Sequence, residues 1–284
     1  MTLLPLRAGR LGVALAPGAG GSVARFAADG IDLLRPATPQ AVASGRGNDT
    51  SCYPLVPFSG RIANGHLAFD GEEITLPPNW PGQRHPMHGD GWAQPWTVVR
   101  SDERSAEIEY LHDACSGWPF RYRARQSYRL DDDTFTIGIG IENLETRTLP
   151  AGLGLHPYFV RDADAELLCP VRLMWRTDAE VLPVERVAVP PQVSFATSRK
   201  VDDVRLDNAF EGWDGKATIT WPRTGLHLEL SATEPLRNVV IYVPPERPYF
   251  CVEPVSHVPG ALGATHLAAR ATLEGTVTFR VSNL

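Results

Sequence analysis

Two ionisable residues stand directly before a proline at the end of an apolar segment. One is His156 in Gly154-Leu155-His156-Pro157-Tyr158-Phe159, and the other is Glu253 in Tyr249-Phe250-Cys251-Val252-Glu253-Pro254. Imidazoles and carboxylates are common carriers of general acid and base catalysis. Proline fixes its own φ, lacks an N–H and pushes the preceding residue into extended backbone, which puts both residues on strands. Side chains alternate along a strand. Gly152, Gly154, His156 and Tyr158 therefore share one face, bare except for an imidazole and a phenol. Leu153, Leu155 and Phe159 share the other, which reads as core. Glu253 shares its face with Cys251 and Val255 and looks into a partly desolvated space. Each residue also has an ordinary reading: a histidine satisfied by backbone at a sheet edge, a glutamate at an exposed strand end.

Three more polar residues stand out, each with a plain alternative. His88 in Met87-His88-Gly89-Asp90-Gly91-Trp92 reads equally as a turn residue. Arg61 in Ser59-Gly60-Arg61-Ile62-Ala63-Asn64-Gly65 reads as a surface arginine. Asp207 in Leu206-Asp207-Asn208-Ala209-Phe210 reads as a turn-former. The GxSxG elbow, Walker loop, dinucleotide fingerprint and HExxH motif are all missing from the sequence. His85 and His88 suggest a metal pair, but no third ligand at a recognisable spacing accompanies them, so no metal is expected.

The elements that must position these residues are strands, because period-two alternation recurs from end to end. Val23–Phe26 and Ile31–Leu34 flank an Asp29-Gly30 turn, a hairpin signal. Tyr122, Ala124, Gln126, Tyr128 and Leu130 line one face of a strand that turns at Asp131–Asp133. The return strand faces Phe135, Ile137, Ile139 and Ile141 inward. A further hairpin joins Ala217–Trp221 to Leu226–Leu230, and Val277, Phe279 and Val281 alternate near the C-terminus. A short helix is expected around Leu262–Ala269. The Pro- and Gly-rich stretch Pro77–Gly91 reads as a long functional loop, not a domain boundary. The expected fold is all-β: large antiparallel sheets packed face to face as a β-sandwich, residues 1–284 forming one domain.

Composition narrows the partners. The 284 residues carry a net charge of 27 − 33 = −6 with no basic block, which disfavours nucleic acid and anionic membrane surfaces. No apolar run approaches a membrane span, and the start lacks a secretory pattern. Cys52, Cys115, Cys169 and Cys251 are scattered without a CxxC pair, reading as reduced thiols. A cytoplasmic location is expected.

Taken in order, GRIANG, LPPN with MHGDGW, GLHPYF, LDNAF and CVEP resemble the aldose 1-epimerase (galactose mutarotase) family over nearly the whole chain. The resemblance implies a large antiparallel β-sandwich of the galactose mutarotase type. It implies a monosaccharide substrate, no cofactor, and interconversion of α and β anomers. Glu253 matches the catalytic base and His156 the catalytic acid, while His88, Arg61 and Asp207 match residues of the sugar pocket. Two positions depart from the pattern: Gly60 stands where the family often has Asn, and Leu155-His156-Pro157-Tyr158 replaces Asn-His-Ser-Tyr. Both leave acid and base intact and bear on which sugar is used.

That chemistry needs a base to take the proton of the C1 hydroxyl while an acid protonates the ring oxygen. A nearby carboxylate favours imidazolium, so Glu253 is expected to help keep His156 charged. Trp80, Trp92, Trp96 and Trp118 are candidates to stack on a pyranose, with core packing as their other role. Three alternatives stay open. A hexose-6-phosphate 1-epimerase would need a basic cluster, for which Arg84 alone is close in sequence to His88. A non-catalytic sugar-binding module would be expected to lack the acid or the base. A glycoside hydrolase would need two carboxylates, and Asp207 with Glu253 is the available pair.

Overall fold

The computed structural model describes residues 2–284. Almost all regular structure is antiparallel β, in two large sheets and a small hairpin, His66–Phe69 with Glu72–Thr75. The eleven-stranded sheet runs in spatial order Leu4–Ala8, Leu11–Ala16, Ser22–Ala28, Cys52–Leu55, Gly154–Val160, Tyr249–Val255, Asn238–Val243, Leu206–Glu211, Leu173–Thr177 and Pro183–Ala188, with Ile31–Asp32 off Ser22–Ala28. The nine-stranded sheet runs Phe195–Lys200, Glu166–Cys169, Lys216–Trp221, Leu226–Ala232, Thr272–Asn283, Thr134–Asn143, Tyr122–Leu130, Ser105–His112 and Thr97–Ser101.

The sheets bury their apolar faces against each other. Phe26 of the larger sheet meets Phe135 and Phe279 of the smaller, with centroids 5.0 and 6.0 Å apart, and Phe159 meets Phe279 at 6.1 Å. All four rings are fully buried, a condition worth about 1.5–3 kcal/mol per side chain. The hairpin expected around Asp131–Asp133 forms with Leu130 opposite Phe135 and Tyr122 opposite Asn143. That register sends every odd residue from Phe135 to Ile141 into the core, because a strand's faces alternate strictly. The Asp29-Gly30 and Trp221–Leu226 turns join paired strands as expected.

One local expectation needs correction. Around Leu262–Ala269 the chain makes a single 3₁₀ turn, Leu262–Ala264, whose end is held by Thr265 Oγ1 donating to the Leu262 carbonyl at 2.7 Å. Its small apolar residues fill space beside the hairpin strand His66–Phe69 and do not propagate a helix. A short α-helix forms instead at Pro39–Ala43, where Thr38 Oγ1 accepts from the Ala41 N–H and Pro39 opens the first turn. Among the described residues no helix is long and apolar enough to cross a membrane.

Candidate active site

The middle of the larger sheet sets out the two proton carriers side by side. Gly154 lies opposite Val255 and Tyr158 opposite Cys251, a register that brings His156 across from Glu253. Pro157 and Pro254 supply no N–H, so the ladder is interrupted at that point. His156 Nε2 lies 3.3 Å from Glu253 Oε1. Both side chains are buried, at 7% and 2% exposure. The opposite face of the same strands is core, with Leu153, Leu155 and Phe159 at 1% exposure or less, as the alternation predicts. His156 stacks on Tyr53 of the neighbouring strand, centroids 4.7 Å apart and planes 19° apart, which fixes the imidazole plane.

Above the pair lies a cavity of about 270 Å³, near the small end of ligand pockets. Its lining includes all five residues singled out from sequence: Arg61, His88, His156, Asp207 and Glu253. Asp207 comes from the strand Leu206–Glu211, two strands from Glu253. Arg61 and His88 come from loops. His88 Nδ1 accepts the Gly60 N–H at 3.1 Å, so a neutral ring carries its proton on Nε2 and is a donor there. His85 lies outside the cavity lining, with Nδ1 accepting from the Asn64 N–H at 2.9 Å. Arg84 points away to Glu180 at 3.5 Å on the exposed surface.

The Pro77–Gly91 loop has no strand or helix before Gly91, and side chains hold its shape. Asn79 Oδ1 accepts from the Met87 N–H at 2.8 Å, while its Nδ2 donates to the carbonyls of Met87 and Gly89 at 2.9 and 2.7 Å. Asp90 fastens the loop to the second sheet. Its carboxylate accepts from the hydroxyls of Tyr110 and Tyr122 and lies 2.8 Å from His112 Nδ1. Burial works against a charged His112, yet the hydrogen bond and charge of Asp90 hold its pKa above the ordinary histidine value. Sequence reading quoted Asn79 and Asp90 inside motifs without giving them this work.

Gly60 has a structural reason of its own. Its φ is +69°, and a Cβ there would sit 2.7 Å from Pro259 Cγ on the cavity wall. Of the four tryptophans proposed to meet a ligand, Trp80 lines the cavity and packs on Trp92 at 4.7 Å. Trp92, Trp96 and Trp118 are buried. Tyr158, read from sequence as sharing the open face of His156, lines the cavity, as do Trp175, Arg35, Tyr53 and Tyr249, which were not named from sequence as pocket residues.

The electrostatics correct one expectation. Burial, with Arg35 adding to it, pushes His156 down to about 3, so in the free site it is not held as imidazolium. Burial and the neighbouring Asp207 push Glu253 well above the ordinary carboxylate value, against the pull of Arg61. Desolvation is the leading cause for both groups. Burial thus favours the neutral form of each group, the protonated carboxyl of Glu253 and the uncharged imidazole of His156. Burial also raises Asp207, again opposed by Arg61. His88 is pushed well below its ordinary value by burial, His156 and Arg61. Cys251, within 4.8 Å of the pair's ligand atoms, is pushed up by burial and stays a thiol. The other cysteines are free as well, with Cys52 and Cys169 buried and Cys115 exposed.

Comparison with known proteins defines the class as an isomerase of the epimerase type, acting on sugars. The family model for aldose 1-epimerase matches residues 2–268, and the chain belongs to that family. The protein designated YphB of Escherichia coli (strain K12), described as uncharacterized, is 32% identical over 248 residues, covering 84% of this chain and 83% of its own. The crystal structure of a provisionally assigned aldose 1-epimerase from Escherichia coli K12 superimposes with a TM-score of 0.91 at 29% identity, covering 100% of this chain and 99% of that one. A galactose 1-epimerase from Lactobacillus acidophilus NCFM shares the fold, with a TM-score of 0.83 at 16% identity over 99% and 95% of the two chains.

Proposed function

We propose that the protein interconverts the α and β anomers of a free aldose, with Glu253 as base and His156 as acid. The observation that carries this reading is the 3.3 Å approach of His156 Nε2 to Glu253 Oε1 on the floor of a cavity that also gathers Arg61, His88 and Asp207. Anomerisation needs one base and one acid acting at adjacent oxygens, and a pair that shares one proton supplies both. Moving that proton from Glu253 to His156 creates the reacting form. Arg61 and the hydroxyls of a bound sugar stabilise the resulting carboxylate. Glu253 then takes the proton of the C1 hydroxyl as His156 protonates the ring oxygen. The C1–O5 bond breaks, the aldehyde rotates about C1–C2, and closure runs through the same groups in reverse. His88, donating from Nε2, with Arg61 and Asp207, orients the other hydroxyls.

Positioned acid–base groups contribute roughly 10²- to 10⁴-fold each. Polarimetry on pure α-galactose and α-glucose should show the wild-type protein accelerating equilibration. Glu253→Gln should lose activity by about that factor while its thermal unfolding stays cooperative. Unchanged turnover in a folded Glu253→Gln protein would remove the base from the mechanism.

A further inference from the structure

Two arginines line the cavity, and among the described residues neither guanidinium lies within ion-pair distance of a carboxylate. Arg35 stands further along the paired strands, over Tyr158 and Tyr249, whereas Arg61 follows Gly60 on the loop segment that packs against His88. Arg61 is the cation that acts on Asp207 and Glu253. Arg35 is the one that acts on His156 and Tyr158.

Arg35 is held firmly. Its backbone N–H donates to the Tyr158 carbonyl at 2.7 Å, and Nη2 donates to the Thr50 carbonyl at 2.7 Å. Its Cζ lies 4.0 Å from the Tyr158 ring centroid and 4.6 Å from that of Tyr249. Two aromatic faces and one carbonyl fix the plane of a fork that has five N–H donors, leaving most of them for a ligand. Stacking of this kind keeps a cation in place without neutralising it.

The ring's own connectivity says which carbon such a cation would meet. In a pyranose the ring oxygen lies between C1 and C5, and C5 carries C6. With Glu253 serving the C1 hydroxyl and His156 the ring oxygen, a ring directed along the strands toward Tyr158 would bring C5 and C6 to Arg35, which stacks on Tyr158 and Tyr249. Arg61 and Asp207 would then meet the remaining ring hydroxyls. A neutral hydroxymethyl at C6 would leave the charge of Arg35 unmatched. A planar carboxylate would meet the planar guanidinium with two parallel hydrogen bonds. A phosphate dianion suits the place less well, since it calls for several basic groups and Asp49 lines the same rim.

We propose that Arg35 selects aldoses bearing a carboxylate at C6, the hexuronates, an inference that rests on the anomer-interconverting reading of the same site. Calorimetric titration of wild-type protein at pH 7 with D-glucuronate and D-galacturonate should give affinities roughly tenfold to a hundredfold above those for D-glucose and D-galactose. The ratio should collapse toward unity in Arg35→Gln. Asp49→Asn, which leaves the Thr50 anchor in place, should widen it. Equal or tighter binding of the neutral sugars would overturn the proposal. So would a uronate preference that survives Arg35→Gln, or tighter binding of glucose 6-phosphate than of glucuronate.

Polarimetry on the same sugars separates the two claims. If neutral anomers are interconverted and uronates show no preference, the carboxylate subsite falls and the mutarotase reading stands. If uronates bind selectively and no anomer of either kind is interconverted, the reverse holds.

Discussion

Two polar hollows, one on each large sheet, treat charge in opposite ways. The larger, about 640 Å³, lies on the outward face of the nine-stranded sheet, with Gly138 and Gly140 among the outward-facing residues. Its acids and bases meet one another: Arg123 Nη1 lies 2.8 Å from Glu142 Oε2, and Glu109 lies 3.7 Å from Arg123 and 3.6 Å from Arg125. The smaller hollow sits over His156 and Glu253 and is roofed by the clamped Pro77–Gly91 loop. There desolvation pushes the Glu253 carboxyl up and the His156 imidazole down. Size and number of charges favour the first hollow as a site; chemistry favours the second. Perturbed groups in a cleft are what distinguish a reactive centre from a solvated ion-pair network.

Amide substitution in each hollow should break that symmetry most visibly. Glu253→Gln is expected to cost roughly 10²–10⁴ in turnover, whereas Glu142→Gln should leave turnover essentially unchanged in the same polarimetric assay.

Stability should move the other way. The folded pKa of Glu253 is raised, so the stability associated with its protonated form is complete below the unfolded value, about 4.3, and is lost as pH rises through the folded value. Glutamine does not titrate. Glu253→Gln should therefore melt above wild type at pH 8, with the difference vanishing toward pH 4. A melting advantage that grew on acidification would contradict the burial effect. His156 imposes the complementary limit: protonation near pH 3 removes the free imidazole, so stability falls from about pH 6.5 downward.

The roof should be worth less than the reacting pair. Asn79→Ala removes three loop hydrogen bonds, each net about 0.5–1.5 kcal/mol, and should raise KM more than it lowers kcat. Equal kcat and KM effects would mean that the loop does more than position His88. The smallest expected change is Arg123→Ala on the open hollow, at most about 1 kcal/mol by chemical denaturation and diminishing with salt.

Much of this was legible in the sequence because a strand's faces alternate, and that periodicity survives into the fold wherever one face is core. His156 and Glu253 were visible for a second reason, the proline that follows each. The same mark stands beside three more cavity residues: Trp80-Pro81, already a candidate for stacking, and Arg35-Pro36 and Tyr53-Pro54, which were not singled out. Five pocket side chains thus hang from backbone that a following proline biases toward extended geometry. What could not be read was adjacency across distant segments. Nothing local says that Arg35 stacks on Tyr158, or that Asp90 ties its loop to Tyr110 and Tyr122. The charge state of His156 was misjudged because a nearby carboxylate is visible in sequence order and the depth of burial is not. The helix expected around Leu262–Ala269 failed for a related reason: its small residues close against a hairpin, where tertiary contact overrides local preference.

The burial of the His156–Glu253 pair has a consequence for proton economy. On the proposed chemistry, ring opening lends one proton to the substrate and takes one from it, and ring closure reverses both transfers. The enzyme therefore ends each turnover in the protonation state in which it began, with no exchange required with solvent. Raising buffer concentration at fixed pH and ionic strength accelerates the uncatalysed reaction, but it should leave the enzyme-catalysed rate untouched.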